Sequence, residues 1–181
     1  MPFIDRVAYC TPTLAREFER HRGIIEKGKE RLSAKEYGRY INIAEERASE
    51  REVRDSLRLF CQCMYKATGK NTVILIDEYD VPLENAYFRG FYEKMVDFIR
   101  ALFESALKTN DYLQFAAITG CLHISKESIF TGLNHLNIVL VLDKSYSEHF
   151  GFTESEVLQM MEYYGVAFYR KDSEVRFGGL L

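Results

Sequence analysis

With 181 residues, 47% hydrophobic and 14% aromatic, the chain is long enough to bury the core of one domain and is far from a disordered composition. Its net charge of −3 is uneven: residues 1–70 carry 15 basic and 11 acidic groups, residues 71–181 carry 9 and 16, and the basic residues alternate with Glu, so there is no direct nucleic-acid signal. No apolar run approaches about eighteen residues, and MPFIDRVAYC lacks the basic start and apolar middle of a secretory signal, so no membrane partner and a cytoplasmic location are expected.

Residues 1–70 read as helical. Pro12 fits the first turn of a helix whose Leu14 and Phe18 share a face. Ser33 with Glu36, and Ser49 with Glu52, match capping boxes, in which the hydroxyl caps one amide and the Glu returns to cap the Ser amide. They predict a second and a third helix. The third carries Val53, Leu57, Phe60 and Met64 as one apolar stripe, and Gly69 is its stop.

The texture changes at Thr72. VILI (73–76) is a short apolar run, mostly β-branched, that ends abruptly in DEYD; a strand covered on both faces of a parallel sheet has this pattern. Residues 91–107 are helical again, with Phe91, Met95, Phe98, Ile99, Leu102 and Ala106 inward. A second strand, LQFAAITG (113–120), and a third, NIVLVLD (137–143), precede a helix opened by Thr153 and Glu156 and stopped at Gly165. Strand, helix, strand makes a βαβ unit with a right-handed crossover, so the expected fold class is α/β. Residues 166–181 read as a fraying tail.

The strongest chemical signal is VILIDE. Two carboxylates at the carboxyl end of a buried strand suit a nucleotide-hydrolysing site, with Asp77 on the Mg²⁺ side and Glu78 orienting or deprotonating the attacking water. The same hexapeptide also fits a strand running out into an acidic loop, with Asp77 or Asp80 capping a turn. Thr119 ends the next strand where a polar residue would face the γ-phosphate and water, or it simply begins a turn with Gly120. A metal nuclease built on Asp77, Glu78 and Asp80 is a further alternative, although no Lys accompanies them as such sites commonly require.

Phosphate binding needs a glycine loop between a strand and a helix, ending in Lys and a hydroxyl. KGKE (27–30) has no preceding strand, GKNT (69–72) leads into a strand, and GCLHISKES (120–128) has no Gly before Lys126. Cys10, Cys61, Cys63 and Cys121 lack zinc-ligand spacing and are expected as reduced thiols in helix or core positions. His21, His123, His135 and His149 do not converge in sequence, and Ser125, Ser128 and Cys121 lack the setting of a nucleophile.

LIDEYDVPL (75–83), AYFRGFYEKMVDFIRALFESALK (86–108), TGCLHISKESIFTGLN (119–134) and YSEHFGFTESEV (146–157) together resemble the AAA-ATPase-like family of bacterial proteins. The resemblance covers roughly residues 10–165. It implies a P-loop NTPase domain, usually joined to a C-terminal restriction-endonuclease-like nuclease domain. It also implies ATP and Mg²⁺ as cofactors, Asp77 and Glu78 as the Walker B pair, and Thr119 as a sensor-like residue. SIFTGLN is a family signature, and within it Asn134 is taken toward the nucleotide. Relatives usually have Arg in place of His123 and Asn in place of His135; if that Arg contacts phosphate, its replacement by His weakens the case for hydrolysis.

On this reading residues 1–165 are a truncated domain, helical over 1–70 and with the Walker B and sensor-like strands in 71–165. The partial P-loop NTPase core is expected to lack its phosphate-binding loop and to be inactive alone. The alternative is a non-catalytic interaction module with a vestigial nucleotide site that self-associates through an exposed sheet edge.

Overall fold

The computed structural model describes residues 10–121, 129, 130, 132, 133, 136–140, 143 and 151–166. The chain forms two compact units, residues 1–135 and 136–181.

The first unit begins with helices. Helix α1 (Thr11–Lys27) carries Pro12 in its first turn and buries Ala15, Phe18 and Ile25. A 3₁₀ turn (Lys29–Arg31) leads to α2 (Ala34–Ala44), α3 (Glu50–Arg54) and α4 (Ser56–Thr68). Both expected capping boxes are formed: Ser33 and Glu36 at α2, Ser49 and Glu52 at α3. The expected third helix is broken, because Arg54 and Ser56 flank a cap at Asp55. Asp55 accepts from Arg39 Nη2 at 2.7 Å and from Ser105 Oγ at 3.0 Å, so the break is a junction with two neighbouring helices.

Helix α4 is covered on two sides, and the expected single stripe is therefore incomplete. Leu59 and Cys63 join Phe18, Ile25, Tyr40 and Ile43 in one core, whereas Cys61 meets Ile74 and Ala106 in another. Phe60 and Met64 are only partly buried at the edge of the first core. Cys10, Cys61, Cys63 and Cys121 are free thiols; burial pushes Cys63 up to about 12, so it stays protonated, while Cys121 is exposed, contrary to a helix or core position.

Gly69, at φ 74°, ends α4, and strand β1 (Thr72–Ile76) follows. Helices α5 (Val81–Phe88) and α6 (Tyr92–Leu107) then lead to β2 (Leu113–Ile118). The strands pair in parallel, with Ile74 opposite Ala116 and Ile76 opposite Ile118, so the mixed α/β architecture agrees with expectation. Helix α6 buries Met95, Val96, Phe98, Ile99, Leu102, Phe103 and Ala106, all but two of which the periodicity anticipates.

Coverage of the sheet differs from expectation. Ile74 and Ile76 face the helices, but Val73 (52% exposed), Leu75 (75%) and Phe115 (59%) form an uncovered apolar face. Among the described residues no further strand pairs with the two. The expected strand 137–143 is not found at its described residues, where the Asp143 amide donates to the Leu140 carbonyl and the Leu140 amide to the Asp143 carboxylate. Val141 and Leu142 lie outside the described residues. In the second unit, α7 (Glu154–Tyr164) has the capping box of Thr153 and Glu156 and the stop at Gly165.

The Ser33 box also ties α2 to α4, because Glu36 accepts from Lys66 Nζ at 2.7 Å and Gln62 Nε2 at 2.9 Å. Burial pushes the Glu36 carboxyl up, but the hydrogen bonds from Lys66 and Ser33 outweigh it and hold the group below its ordinary value. A carboxylate depressed in the fold stabilises it above the unfolded-state value of about 4.3, and that contribution is lost as pH falls through the folded-state value. The urea midpoint should therefore drop as pH is lowered from about 5 to below about 4, and Glu36→Gln should flatten the drop. At neutral pH, Ser33→Ala should cost about 1 kcal/mol by the same assay.

Candidate functional site

The exits of β1 and β2 lie side by side because the strands are parallel and in register up to Ile76 and Ile118. The next residues are Asp77 and Thr119, and backbone bonding continues past the strands. The Thr119 amide donates to the Ile76 carbonyl at 2.9 Å, and the Tyr79 amide donates to the Thr119 carbonyl at 3.0 Å. The Thr119 hydroxyl donates to Asp77 Oδ1 and accepts from the Glu78 amide at 3.4 Å. Four hydrogen bonds thus join this one residue to the 76–79 segment.

Asp77, Glu78 and Thr119 are exposed. Among the described residues no Lys, Arg or His lies within ion-pair distance of either carboxylate. Glu78 has φ 53°, in the left-handed region that costs a residue with a Cβ about 1–2 kcal/mol.

Aromatic packing fixes the acid loop from below. The Tyr79 ring meets Phe130 edge-on at 5.4 Å and Phe103 at 6.3 Å, and Phe103 stacks on Phe130. Ile129 is fully buried against α6. Two residues of SIFTGLN therefore pack the core and support the acid loop, a role their sequence did not reveal. Gly120 is the matching constraint on the other strand: a Cβ there would stand 2.5 Å from the Tyr79 ring and 3.0 Å from Asp80 Oδ1.

Asp80 is buried (4% exposed) and begins α5 without a side-chain cap bond to it. Its carboxylate instead accepts the Cys121 amide at 2.8 Å. The sequence reading missed both this tie and α5 itself, although Asp80 followed by Pro82 is a helix-start signal. Among the described residues no three His, Cys, Asp or Glu side chains group as a metal cage, so the nuclease alternative on Asp77, Glu78 and Asp80 loses its metal cluster. Asn134, His123 and His135 lie outside the described residues, as do Ser125, Lys126, Ser128 and His149. His21 is placed, its Nδ1 2.9 Å from the Glu17 carbonyl, as a half-buried, hydrogen-bonded residue edge-on to Phe60.

Two of the failed phosphate-loop matches have structural explanations. Gly28 closes α1 where a Cβ would strike the Ala67 backbone at 2.6 Å, so it is a helix-packing glycine, and Gly69 is a helix stop. No helix among the described residues is long and apolar enough to cross a membrane.

Residues 13–130 match the model of the AAA-ATPase-like family, described as predicted AAA-ATPase. The match includes Asp77, Glu78 and Thr119 and stops short of Asn134. A protein of Azotobacter chroococcum mcd 1, described as the uncharacterized protein in the vnfD 5′ region, is 35% identical over 94 residues, which are 51% of this chain and 18% of that protein. The chain thus spans less than a fifth of that relative's length. No solved structure matches it.

Because glycine enters the left-handed region without a Cβ penalty, Glu78→Gly should stabilise the first unit by about 1 kcal/mol in denaturant unfolding. Glu78→Ala, which keeps the Cβ, should give no such gain.

Proposed function

The chain belongs to the AAA-ATPase-like family, and on that premise we propose that its strand exits supply the Walker B side of a P-loop NTPase site that does not turn over ATP by itself. The observation that carries the proposal is the Thr119 hydroxyl set between the Asp77 carboxylate and the Glu78 amide across adjacent parallel strands. Family membership implies nucleotide and Mg²⁺. The residues fit that pair in a limited sense: one exposed carboxylate with a hydroxyl beside it suits a cation that keeps most of its water, and no protein cage is required.

In this reading Asp77 holds the Mg²⁺ shell, and the metal supplies charge neutralisation at the phosphates. Glu78 orients or deprotonates the attacking water, Thr119 faces the γ-phosphate as the sensor-like residue, and Asn134 contacts the nucleotide. The phosphate grip is absent from these 181 residues, since no glycine loop ends in Lys and a hydroxyl. Two carboxylates without that lysine and those amides repel a triphosphate more than they attract it. The loop would have to come from another segment.

Titration calorimetry with Mg·ATP and a phosphate-release assay, run on the chain and on Glu78→Gln, test this directly. Neither heat nor phosphate is expected. Micromolar binding with turnover that Glu78→Gln abolishes would refute the inactive-alone reading.

A second reading, a self-associating module with a vestigial nucleotide site, is favoured by the uncovered face of Val73, Leu75 and Phe115. Parallel sheets are ordinarily covered on both faces, and among the described residues each of the two strands also has an unpaired edge. In a longer relative the same face would receive covering helices and the sheet's edges further strands, and an attached nuclease domain is the partner the family suggests. On the self-association reading, light scattering should give a concentration-dependent dimer that Leu75→Lys returns to monomer; a monomer at all concentrations would reject it.

A further inference from the structure

We infer that Asp80 is a positioning residue: by holding the Cys121 amide, its buried carboxylate sets the Thr119 hydroxyl between Asp77 and Glu78. The inference rests on the reading of Thr119 as the residue that faces the reaction centre, but the geometry that carries it is independent of nucleotide.

Regular strand pairing ends at Ile76 and Ile118, one residue before the hydroxyl that matters. Thr119 is held on its own backbone by the Ile76 carbonyl and the Tyr79 amide, which do not dictate its χ1; its hydroxyl bonds to Asp77 and the Glu78 amide form only in the rotamer that the backbone lets point at them. A β-branched side chain has few rotamers, and the backbone dihedrals select among them. Those dihedrals depend on where the chain goes next, and Gly120 is a hinge unless the residue after it is fixed. The Cys121 amide is the next point of attachment, and it is bound by Asp80 Oδ2 at 2.8 Å.

Three features bear on this tie. Asp80 is 4% exposed, and an ionised carboxylate gives up much hydration when buried, so each amide that binds it counts for more than a neutral contact would. It stands at the N-cap of α5, where an Asp side chain ordinarily bonds the helix's own amides, yet no such bond is made. The strand that receives it is shaped to let it approach, because Asp80 Oδ1 and the Tyr79 ring occupy the space a Cβ on residue 120 would need. Tyr79 is in turn fixed by Phe103 and Phe130. Asp77 and Asp80, three residues apart, thus have separate work: the exposed one faces solvent with the hydroxyl, and the buried one aligns the strand that carries the hydroxyl.

The test uses the full chain with ¹³C-methyl-labelled threonine, and reads the three-bond couplings of the Thr119 methyl, which report χ1, beside the melting temperature. A single Thr119 rotamer is expected in the unchanged chain. Asp80→Ala should replace it with an average over rotamers, and Asp80→Asn, whose amide oxygen can still accept from the Cys121 amide, should restore it. Cys121→Pro removes the donor while leaving Asp80 in place, and should reproduce the averaging even if Asp80→Ala fails to fold. A Thr119 that keeps its single rotamer in Asp80→Ala or in Cys121→Pro, with only the melting temperature lowered, would reduce Asp80 to a structural role and overturn the inference. A chain that never binds ATP can still pass this test, so failure of the proposed function and failure of the positioning role are told apart.

Discussion

The parallel pairing of β1 with β2 is the constraint on which the rest depends. A parallel pair cannot be joined by a tight turn, so the chain must leave the sheet, cross it and return, and here α5 and α6 make that crossing. Two strands alone have little stability in water, and the helix that crosses them supplies the missing burial. Helix α6 does this with seven buried side chains. At the sheet, Cys61 and Ala106 are buried with Ile74, and Leu57, Leu107 and Ala116 pack around them. Register then follows from which face must be covered: a slip of one residue would turn Ile74 and Ile76 out and Val73 and Leu75 in. Only the observed register sets Thr119 against Asp77.

The N-terminal helices act on the site at one remove, through α4. One side of α4 completes the core of Phe18, Tyr40 and Ile43, and the other lies on the sheet with Cys61. Asp55, at the start of α4, binds Arg39 of α2 and Ser105 of α6. The helical region and the crossover helix are therefore fastened at the same carboxylate, which keeps α4 from sliding over β1. Gly28, at the end of α1, lies against Ala67 near the far end of α4.

What could be read from the sequence was local or periodic. The capping boxes of Ser33, Ser49 and Thr153 are complete within four residues, and each forms as its spacing requires. The β-branched run before Asp77 and the run before Thr119 are strands, and α6 follows its 3.6-residue pattern. Two of the failures have a physical origin in distant partners: the break at Asp55 depends on Arg39 and Ser105, and the second covered side of α4 depends on β1. Helix α5, by contrast, has a local signal in Asp80 and Pro82. At the site, the adjacency of Asp77 and Thr119 followed from reading strand, helix, strand as one unit. The ties from Asp80 to Cys121 and from Tyr79 to Phe130 did not, because they join residues 41 or more apart that no short pattern encodes.

The places where this chain departs from local rules lie together. Glu78 is left-handed without being glycine, Asp77 and Glu78 stand side by side with no cation among the described residues, and Leu75 exposes an apolar side chain on a sheet face. Each alone is a modest cost, and each lies within residues 75–78. A sequence otherwise consistent at the level of caps, periodicity and core packing concentrates such departures where something must be met. Acids with no counter-charge among the described residues favour a cation, an exposed hydroxyl held by two hydrogen bonds on a residue whose backbone is also tied favours an oxygen-rich ligand, and a bare sheet face favours another layer. A segment bringing a phosphate loop with its lysine, the metal that accompanies the phosphates and a further layer of helices would satisfy all three at once. A dimer formed through the bare face alone would satisfy only the last, which is why the nucleotide-site reading is the stronger of the two.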